Sequence, residues 1–262
     1  MNWVLKKITT LLSVYYAHMV EYRAELLFWM LSGSLPIILM GVWVEASQGG
    51  RFGLTGLDFV RYFITVFLVR QFTLVWVIWD FEQEVVQGIL SMKLLQPLDP
   101  GWHYVAQHLS ERVARLPFVI VLVILFFSLY PEAFWQPSLG QWGLGILATL
   151  LAFTLRFLMQ YTAAMLAFWT ERASAIEQFL FLFYLFLSGY VAPLDVFPSI
   201  VTQVAQWTPF PYALYFPTAI FVGLPVDLQQ GFLVLIIWII LLFILNRFLW
   251  RKGLRHYSGM GA

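Results

Sequence analysis

Histidines and one run of carboxylates are the residues whose types could support catalysis. The four histidines are His18, His103, His108 and His256. His103 and His108 are five residues apart, which misses the i, i+4 spacing that places two metal ligands on one helical face. Carboxylates follow an apolar run at Asp80, Glu82 and Glu84, where helix capping is a common role. No nucleophile, base and orienting group form a recognisable set, so we predict solvated interface positions for the histidines and no enzymatic activity.

Two further kinds of chemistry need residues that the sequence lacks. The chain has no cysteine, which excludes disulfides, thiolate catalysis and cysteine-based metal sites. It also has no G-x-x-x-x-G-K-[ST] run, the loop whose backbone amides cradle nucleotide phosphates. We therefore predict neither a metal nor a cofactor on this chain.

Five polar residues lie within otherwise apolar stretches: Arg70, Gln71, Arg156, Gln160 and Glu177. A charged side chain at the centre of a bilayer costs roughly 2.5–3.5 kcal/mol on insertion scales, so such residues face a protein interior or a wet cavity. One interpretation is that they line a translocation pathway. The other is that each arginine pairs with a carboxylate or a helix carbonyl to fix packing, with Glu177 as the candidate partner.

The composition is that of a protein with several membrane spans. Hydrophobic residues make up 61% of the 262 residues and charged residues only 11%, against roughly 25% charged in soluble domains. We predict an all-α integral membrane protein that forms a single domain over residues 1–262. Its six predicted spans lie near residues 26–45, 58–79, 110–130, 142–169, 176–191 and 228–249.

Three segments lie outside these spans. Residues 1–25 have apolar positions three or four apart, among them Ile8, Leu12, Tyr15 and Met19, which predicts an amphipathic helix at the membrane interface. Residues 80–109 form a polar connection between spans two and three. Residues 192–227 hold six prolines, too many for a straight spanning helix, so we predict short re-entrant helices there. Within the first span, Gly33 and Pro36 predict a kink.

The distribution of lysine and arginine predicts the orientation. With the N-terminus inside and six spans, the inner segments hold eleven of these residues and the outer loops hold only Arg51. Cytoplasmic loops carry such an excess, so both termini and residues 80–109 are predicted to be cytoplasmic. Residues 192–227 would face outward, where aromatic residues could form a gate or a simple interfacial belt: Trp207, Phe210, Tyr212, Tyr215 and Phe216.

This topology resembles that of the permease subunit of type 2 ABC exporters, and the resemblance covers the whole chain. The pattern E-x-x-x-G-x-L-x-x-x-L-x-x-P is similar to that family's cytoplasmic segment and is formed here by Glu84, Gly88, Leu90, Leu94 and Pro97. The tail GLRHYSGMGA resembles the ending of a subgroup linked to export of hydrophobic cations such as viologens.

The resemblance implies a half-transporter in the plasma (inner) membrane. Such a permease pairs with a second copy or a related permease, contacts membrane lipid, and binds a separate ABC ATPase subunit that holds ATP and Mg. No nucleic-acid partner is expected. The ATPase contact would be a short coupling helix, with an apolar tip formed by Ile89, Leu90, Met92, Leu94 and Leu95. A loop that merely packs on the bundle is the simpler alternative.

Two other functions fit a chain of this composition. One is a membrane lipid-handling protein, such as a scramblase or a lipid-modifying enzyme. The other is an ion-driven secondary transporter, although that class usually shows internal repeats and the sequence has none that we recognise.

Overall fold

The computed structural model describes residues 3–50 and 52–257. Arg51, the one cation predicted in an outer loop, and residues 258–262 of the tail lie outside this part. All regular structure in the described part is helical, which confirms the all-α prediction. The helices are α1 (Trp3–Glu21), α2 (Arg23–Ser32), α3 (Leu35–Ser47), α4 (Gly56–Thr73), α5 (Val77–Val86), α6 (Leu90–Leu94), α7 (Gly101–Leu129), α8 (Leu139–Ala164), α9 (Ser174–Leu187), α10 (Ser199–Ala205), α11 (Tyr215–Val222) and α12 (Leu228–His256).

Four helical stretches among the described residues are long and apolar enough to cross a membrane. They are Gly56–Val86, Gly101–Leu129, Leu139–Phe168 and Leu228–His256. Two shorter apolar helices are Leu35–Ser47 and Ser174–Leu187. The membrane-protein prediction is therefore supported, whereas the count of six spans stays a prediction.

The first predicted span, residues 26–45, consists of two helices instead of one kinked helix. α2 ends at Ser32 and α3 begins at Leu35, so the chain breaks at Gly33 and Ser34. Pro36 occupies the first turn of α3, where its missing N–H leaves no hydrogen bond unmade. Gly33 thus lies just after the end of α2, and Pro36 lies in the first turn of α3.

A second break separates α4 from α5 within the stretch predicted as span two. α4 ends at Thr73, the following Leu74 has an extended backbone with ψ 134°, and α5 begins at Val77. Asp80, Glu82 and Glu84 accordingly lie on the helix α5 and not in a loop. The chain leaves α5 at Gly88, whose φ of +74° lies in the left-handed region that favours glycine.

The bundle has two ends, which the contacts of the long helices define. The α6 end holds α6 and the last turns of α12, because the Ser91 and Tyr257 hydroxyls lie 3.3 Å apart. It also holds α1, whose Tyr15 hydroxyl lies 3.1 Å from His103 Nδ1 near the start of α7. The α10 end holds residues 131–137 and 192–227, because Arg61 near the start of α4 donates to the carbonyl oxygen of Ala133 at 3.2 Å and the Trp135 indole N–H donates to that of Phe221 at 3.0 Å. α8 runs between the two ends and packs against α4, α5, α11 and α12.

Residues 192–227 fold into short helices, including α10 and α11, without a long span. α11 is buried along most of its length, and it packs on α4 and α8. Phe221 at its end fills the space beside Gly145 of α8, where a side chain larger than hydrogen would collide with its ring. α11 and the residues just before it are therefore internal to the bundle's α10 end, whereas α10 itself is largely exposed.

Candidate functional site

The segment around α6 presents an apolar tip. Met92 and Leu95 are 63% and 88% exposed, and Ile89 and Leu94 are each just over one-third exposed. Leu90 is fully buried in the protein's own core beside Phe81 and Tyr104. Pro97 is also exposed, after the end of α6. Of the predicted tip residues, four therefore remain on the surface, whereas Leu90 anchors the segment from inside.

Polar contacts hold this segment against α5 and α7. Lys93 of α6 forms a salt bridge of 2.5 Å with Glu84 Oε1, and the Tyr104 hydroxyl donates to Glu84 Oε2 at 2.6 Å. Arg247 of α12 reaches Asp99 at 2.7 Å, while the other carboxylate oxygen of Asp99 accepts the Gly101 N–H. Glu84 and Lys93 are thus bonded to each other within the chain.

Contacts with α1 and α9 extend the network. Glu82 accepts hydrogen bonds from the Ser174 N–H and hydroxyl at 2.5 and 2.9 Å, so a carboxylate on α5 caps the start of α9. On the other side, the Tyr15 hydroxyl of α1 lies 3.1 Å from His103 Nδ1. Burial, together with the nearby charges of Glu84 and Asp80, raises the pKa of Tyr15, so its hydroxyl stays protonated.

Two α7 residues satisfy the backbone groups that the α4–α5 break leaves free. Arg112 donates to the carbonyl oxygens of Phe72 and Leu74 and also to that of His108. His108 Nε2 accepts the Trp76 N–H at 2.8 Å, which makes Nδ1 the protonated nitrogen that donates to the Tyr104 carbonyl oxygen.

The prediction of a solvated interface position is wrong for His108, which is buried. The sequence gives no sign of this break, since residues 74–76 contain neither glycine nor proline.

Three of the five polar residues predicted within spans meet between α8 and α9. Arg156 Nη2 lies 3.4 Å from Glu177 Oε1, and Gln160 Nε2 donates to the same oxygen at 2.8 Å. The Arg156 guanidinium also stacks on the Tyr184 ring at 4.3 Å from its centroid. All of these side chains are buried, and Glu177 is the carboxylate that the sequence suggested as a partner.

The other two residues lie on α4. Arg70 stacks on the Tyr190 ring at 5.2 Å and approaches the Gly33 carbonyl oxygen at 3.5 Å, the limit of a hydrogen bond. Tyr190 lies 6.1 Å from Tyr184, so a row of two tyrosine rings joins Arg70 to Arg156. The neighbouring Gln71 is buried, and its Oε1 has no hydrogen-bond partner among the described residues.

The aromatic residues predicted as an outer gate are mostly internal. Phe210, Tyr212, Tyr215 and Phe216 are buried, while Trp207 is 65% exposed. The Tyr215 hydroxyl donates to Asp195 at 2.8 Å, and the Tyr212 hydroxyl donates to the Gln206 carbonyl oxygen at 2.6 Å. Tyr212, Tyr215 and Phe216 line a cleft of about 480 Å³ at the α10 end, together with the carboxylates Asp195 and Asp227.

A second cavity of about 480 Å³ lies between α1, α2, α5 and α7. Trp29 and Trp76 line it with their ring centroids 5.5 Å apart, and Tyr22 adds a third aromatic ring. The charged residues of its lining are three carboxylates and one guanidinium: Glu25, Asp80, Glu111 and Arg115. Arg115 is already paired with Glu111, so Glu25 and Asp80 give the cavity an excess of negative charge. We call it the inner cavity.

No three His, Asp or Glu residues of the described part of the chain are grouped so that they could hold a metal ion.

A family model described as ABC-2 family transporter protein matches residues 52–261, which is more than half of the chain. The comparisons with curated proteins and with solved structures returned no match. The family match agrees with the long apolar helices of the described part. The chain therefore belongs to the ABC-2 family of transporter proteins and is a multi-pass membrane permease subunit of an ABC transporter, a class that associates with an ABC ATPase subunit.

Proposed function

We propose that this permease works in an exporter in which α6 receives force from the ATPase subunit. The observation that carries the proposal is the contrast within one short segment: Leu90 is buried in the permease core, whereas Met92 and Leu95 are exposed. A helix anchored from inside with an apolar outer surface is suited to seat in a cleft of a second protein. The Lys93–Glu84 salt bridge keeps the segment in place on the permease.

The proposal includes six membrane crossings and cytoplasmic termini in the plasma membrane. α2 and α3 together supply one crossing and α9 another, although each helix alone is shorter than a bilayer needs. The positive-inside distribution of lysine and arginine supports this orientation. A second permease chain, identical or related, completes the transporter, and ATP and Mg are held by the ATPase subunits.

We assign the Arg156–Glu177 pair a packing role and not a place in the substrate pathway. Both side chains are buried, bonded to each other and enclosed by Gln160 and Tyr184. A pair that neutralises itself in this way presents no free charge to a passing molecule. We extend the packing role to Arg70, whose guanidinium lies against Tyr190.

The inner cavity supports an amphipathic or hydrophobic cation as the substrate. Tryptophan faces attract organic cations within about 6 Å of the ring, and carboxylates add Coulomb attraction. Trp29, Trp76 and Asp80 supply both kinds of group at the α6 end. In the proposed orientation the cavity is reached from the cytoplasm, and the cleft beside Tyr215 at the α10 end is the exit.

The test replaces Met92 and Leu95 together by aspartate in the co-expressed permease and ATPase. We expect the charged tip to lose its apolar seat, so that less ATPase co-purifies and substrate-stimulated ATP hydrolysis falls by about tenfold or more. The control replaces Gln83 and Gln87, two exposed polar residues of α5 and its C-terminal end, by aspartate. Undiminished ATPase binding and coupled hydrolysis in the Met92→Asp/Leu95→Asp variant would show that α6 does not transmit force.

A lipid-handling protein without an ATPase remains the alternative function, favoured by the exposed apolar surface of the bundle. The two functions differ in their dependence on ATP. Purified permease that moves lipid between leaflets of a vesicle without the ATPase subunit would support the alternative. Export that stops when the ATPase subunit is omitted supports the ATP-driven function.

A further inference from the structure

An apolar groove of about 820 Å³ lies between α4, α7 and α8, apart from the α6 segment, the inner cavity and the Arg156–Glu177 pair. Its walls are formed by leucine, valine, isoleucine and phenylalanine side chains, among them Leu68, Val123, Phe127, Ile146, Leu150 and Phe153. Ile146 and Leu150 on its rim are 50% and 58% exposed, so the groove opens sideways out of the bundle.

The groove lies on membrane-spanning helices along most of their length. On α7 the lining extends from Leu109 to Phe127, roughly 27 Å at the helical rise, close to the ~30 Å of a hydrocarbon core. Water is a poor occupant, because an apolar space offers it too few polar partners. In a bilayer, the molecules beside this opening are lipids, whose acyl chains match its length and chemistry.

The two ends of the groove differ in charge and shape. Towards the α10 end, aromatic residues close it: the Trp135 indole N–H donates to the Phe221 carbonyl oxygen at 3.0 Å, and Trp142 packs on the Phe221 ring. Towards the α6 end lies Arg112, which is the one ionised side chain among the described lining residues. An acyl chain can therefore end at the aromatic residues, with its polar head near Arg112.

The Arg112 charge has no carboxylate bonded to it in the described part of the chain. Its guanidinium donates to main-chain carbonyl oxygens and stacks on Phe153 at 4.1 Å, and the adjacent Glu111 is paired with Arg115. Carbonyl dipoles at the end of α4 offset part of this charge, but they supply no full negative charge. In a medium of low dielectric constant an uncompensated cation attracts an anion strongly.

We propose that this groove binds one acyl chain of an anionic phospholipid, with the phosphate held at the Arg112 end. The bound lipid would be a fixed component of the permease surface. This proposal does not depend on ATP coupling or on the identity of the substrate, because it rests on the groove and on Arg112 alone.

Photoactivatable lipids test the proposal on the full-length protein in phosphatidylcholine nanodiscs. A trace of phosphatidylglycerol or of phosphatidylcholine, each with the same photoreactive acyl chain, is added, and the labelled residues are mapped by mass spectrometry. We expect phosphatidylglycerol to label the groove residues of α7 and α8 at least about fivefold more than phosphatidylcholine. Equal labelling by the two lipids, or labelling spread evenly over the exposed face of α12, would overturn the proposal.

Two matched substitutions make the test specific. Thr149 lines the groove, and its hydroxyl donates only to the Gly145 carbonyl oxygen of the same helix, so Thr149→Phe fills the groove without breaking a contact across it. Thr154 makes the same bond to Leu150 but lies outside the groove, and Thr154→Phe is the control. We expect labelling of the groove to be lost in the first variant and kept in the second.

A second filling variant, Val123→Phe, places the block on α7 in case Thr149→Phe does not fold. If neither filling variant changes the labelling, the acyl chain lies elsewhere and the proposal is wrong. If the filling variants break a permease dimer while lipid labelling is unchanged, the groove belongs to a contact with a second chain, which also overturns the proposal. The comparison of the two lipids on the unmodified protein decides the headgroup preference without any variant.

Discussion

Glu82 of α5 caps the first turn of α9 by accepting hydrogen bonds from both the N–H and the hydroxyl of Ser174. Glu177, in the same turn of α9, pairs with Arg156 of α8. Glu84, two residues after Glu82 on α5, bonds to Lys93 of α6. Together with the backbones of α5 and α9, these separate contacts link the exposed α6 segment to the buried pair in the bundle, which gives a displacement of α6 a physical route to α9.

Removing the Glu82 carboxylate should destabilise the start of α9. In a Glu82→Ala variant, two donors of Ser174 lose a charged acceptor, and hydrogen bonds to charged groups contribute about 1.5–3 kcal/mol. We expect a lower unfolding midpoint and weaker coupling of ATP hydrolysis to substrate in the assembled transporter. Thermal unfolding in detergent measures the first and an ATPase assay the second.

Gln83→Ala is the control for this variant, because Gln83 is the exposed neighbour of Glu82 on the same helix. A surface substitution of this kind should change stability by no more than about 0.5 kcal/mol. Equal unfolding midpoints for the Glu82→Ala and Gln83→Ala variants would mean that the contact with Ser174 contributes no net stability.

The Arg156–Glu177 pair should behave as a buried structural pair. Glu177→Gln leaves the arginine without a carboxylate, and breaking a buried pair costs about 3–5 kcal/mol. Adding Arg156→Met removes the unpaired charge, while the glutamine oxygen still accepts from Gln160, so most of the lost stability should return. The unfolding free energies of the two single variants and the double variant form a cycle that measures the coupling.

Activity of the double variant separates a packing role from a pathway role. For packing, the Arg156→Met/Glu177→Gln protein should regain substrate-stimulated ATP hydrolysis together with stability. A double variant that is stable but inactive in transport would instead place the pair in the substrate pathway and contradict our assignment.

The sequence suggests this pair as one of two interpretations but cannot predict the position of Leu90, and the reason is physical. Arg156 and Glu177 are ionisable residues in apolar stretches, and the cost of burying charge makes a partner necessary. α6 has only five residues, too few turns for the spacing of apolar residues to define a buried face. The sequence therefore identifies the apolar segment, while its inner and outer residues depend on packing against Phe81 and Tyr104.

The α4–α5 break likewise cannot be predicted from the sequence. A helix interruption is usually indicated by glycine or proline, and residues 74–76 have neither. The backbone groups left free at the break bond to Arg112 and His108, which are more than thirty residues away in the chain. Arg112 counts as a cytoplasmic cation in the sequence pattern, yet its side chain is buried against the end of α4.

The His108 imidazole should stabilise the folded backbone between α4 and α5. In a His108→Ala variant the Trp76 N–H loses its acceptor in a buried place, and an unsatisfied buried donor costs about 1–3 kcal/mol. We expect a lower unfolding midpoint, measured by the loss of helical circular dichroism on heating. His256→Ala is the control, because His256 is exposed near the end of α12. Equal midpoints for the two variants would show that the break does not need the imidazole.

The orientation of the chain can be tested directly, because the sequence contains no cysteine and a single introduced thiol is the only one to react. Gln87, near α6, and Gln229, in the first turn of α12 at the α10 end, are exposed residues of the same type at opposite ends of the bundle. Gln229→Cys should react with a membrane-impermeant maleimide in intact cells, since the positive-inside distribution predicts that the α10 end lies outside. Gln87→Cys should react only after the membrane is opened, because the proposed orientation has α6 on the cytoplasmic side. Labelling of Gln87→Cys but not Gln229→Cys in intact cells would show that the chain has the opposite orientation. α6 would then lie outside the cell and could not contact a cytoplasmic ATPase.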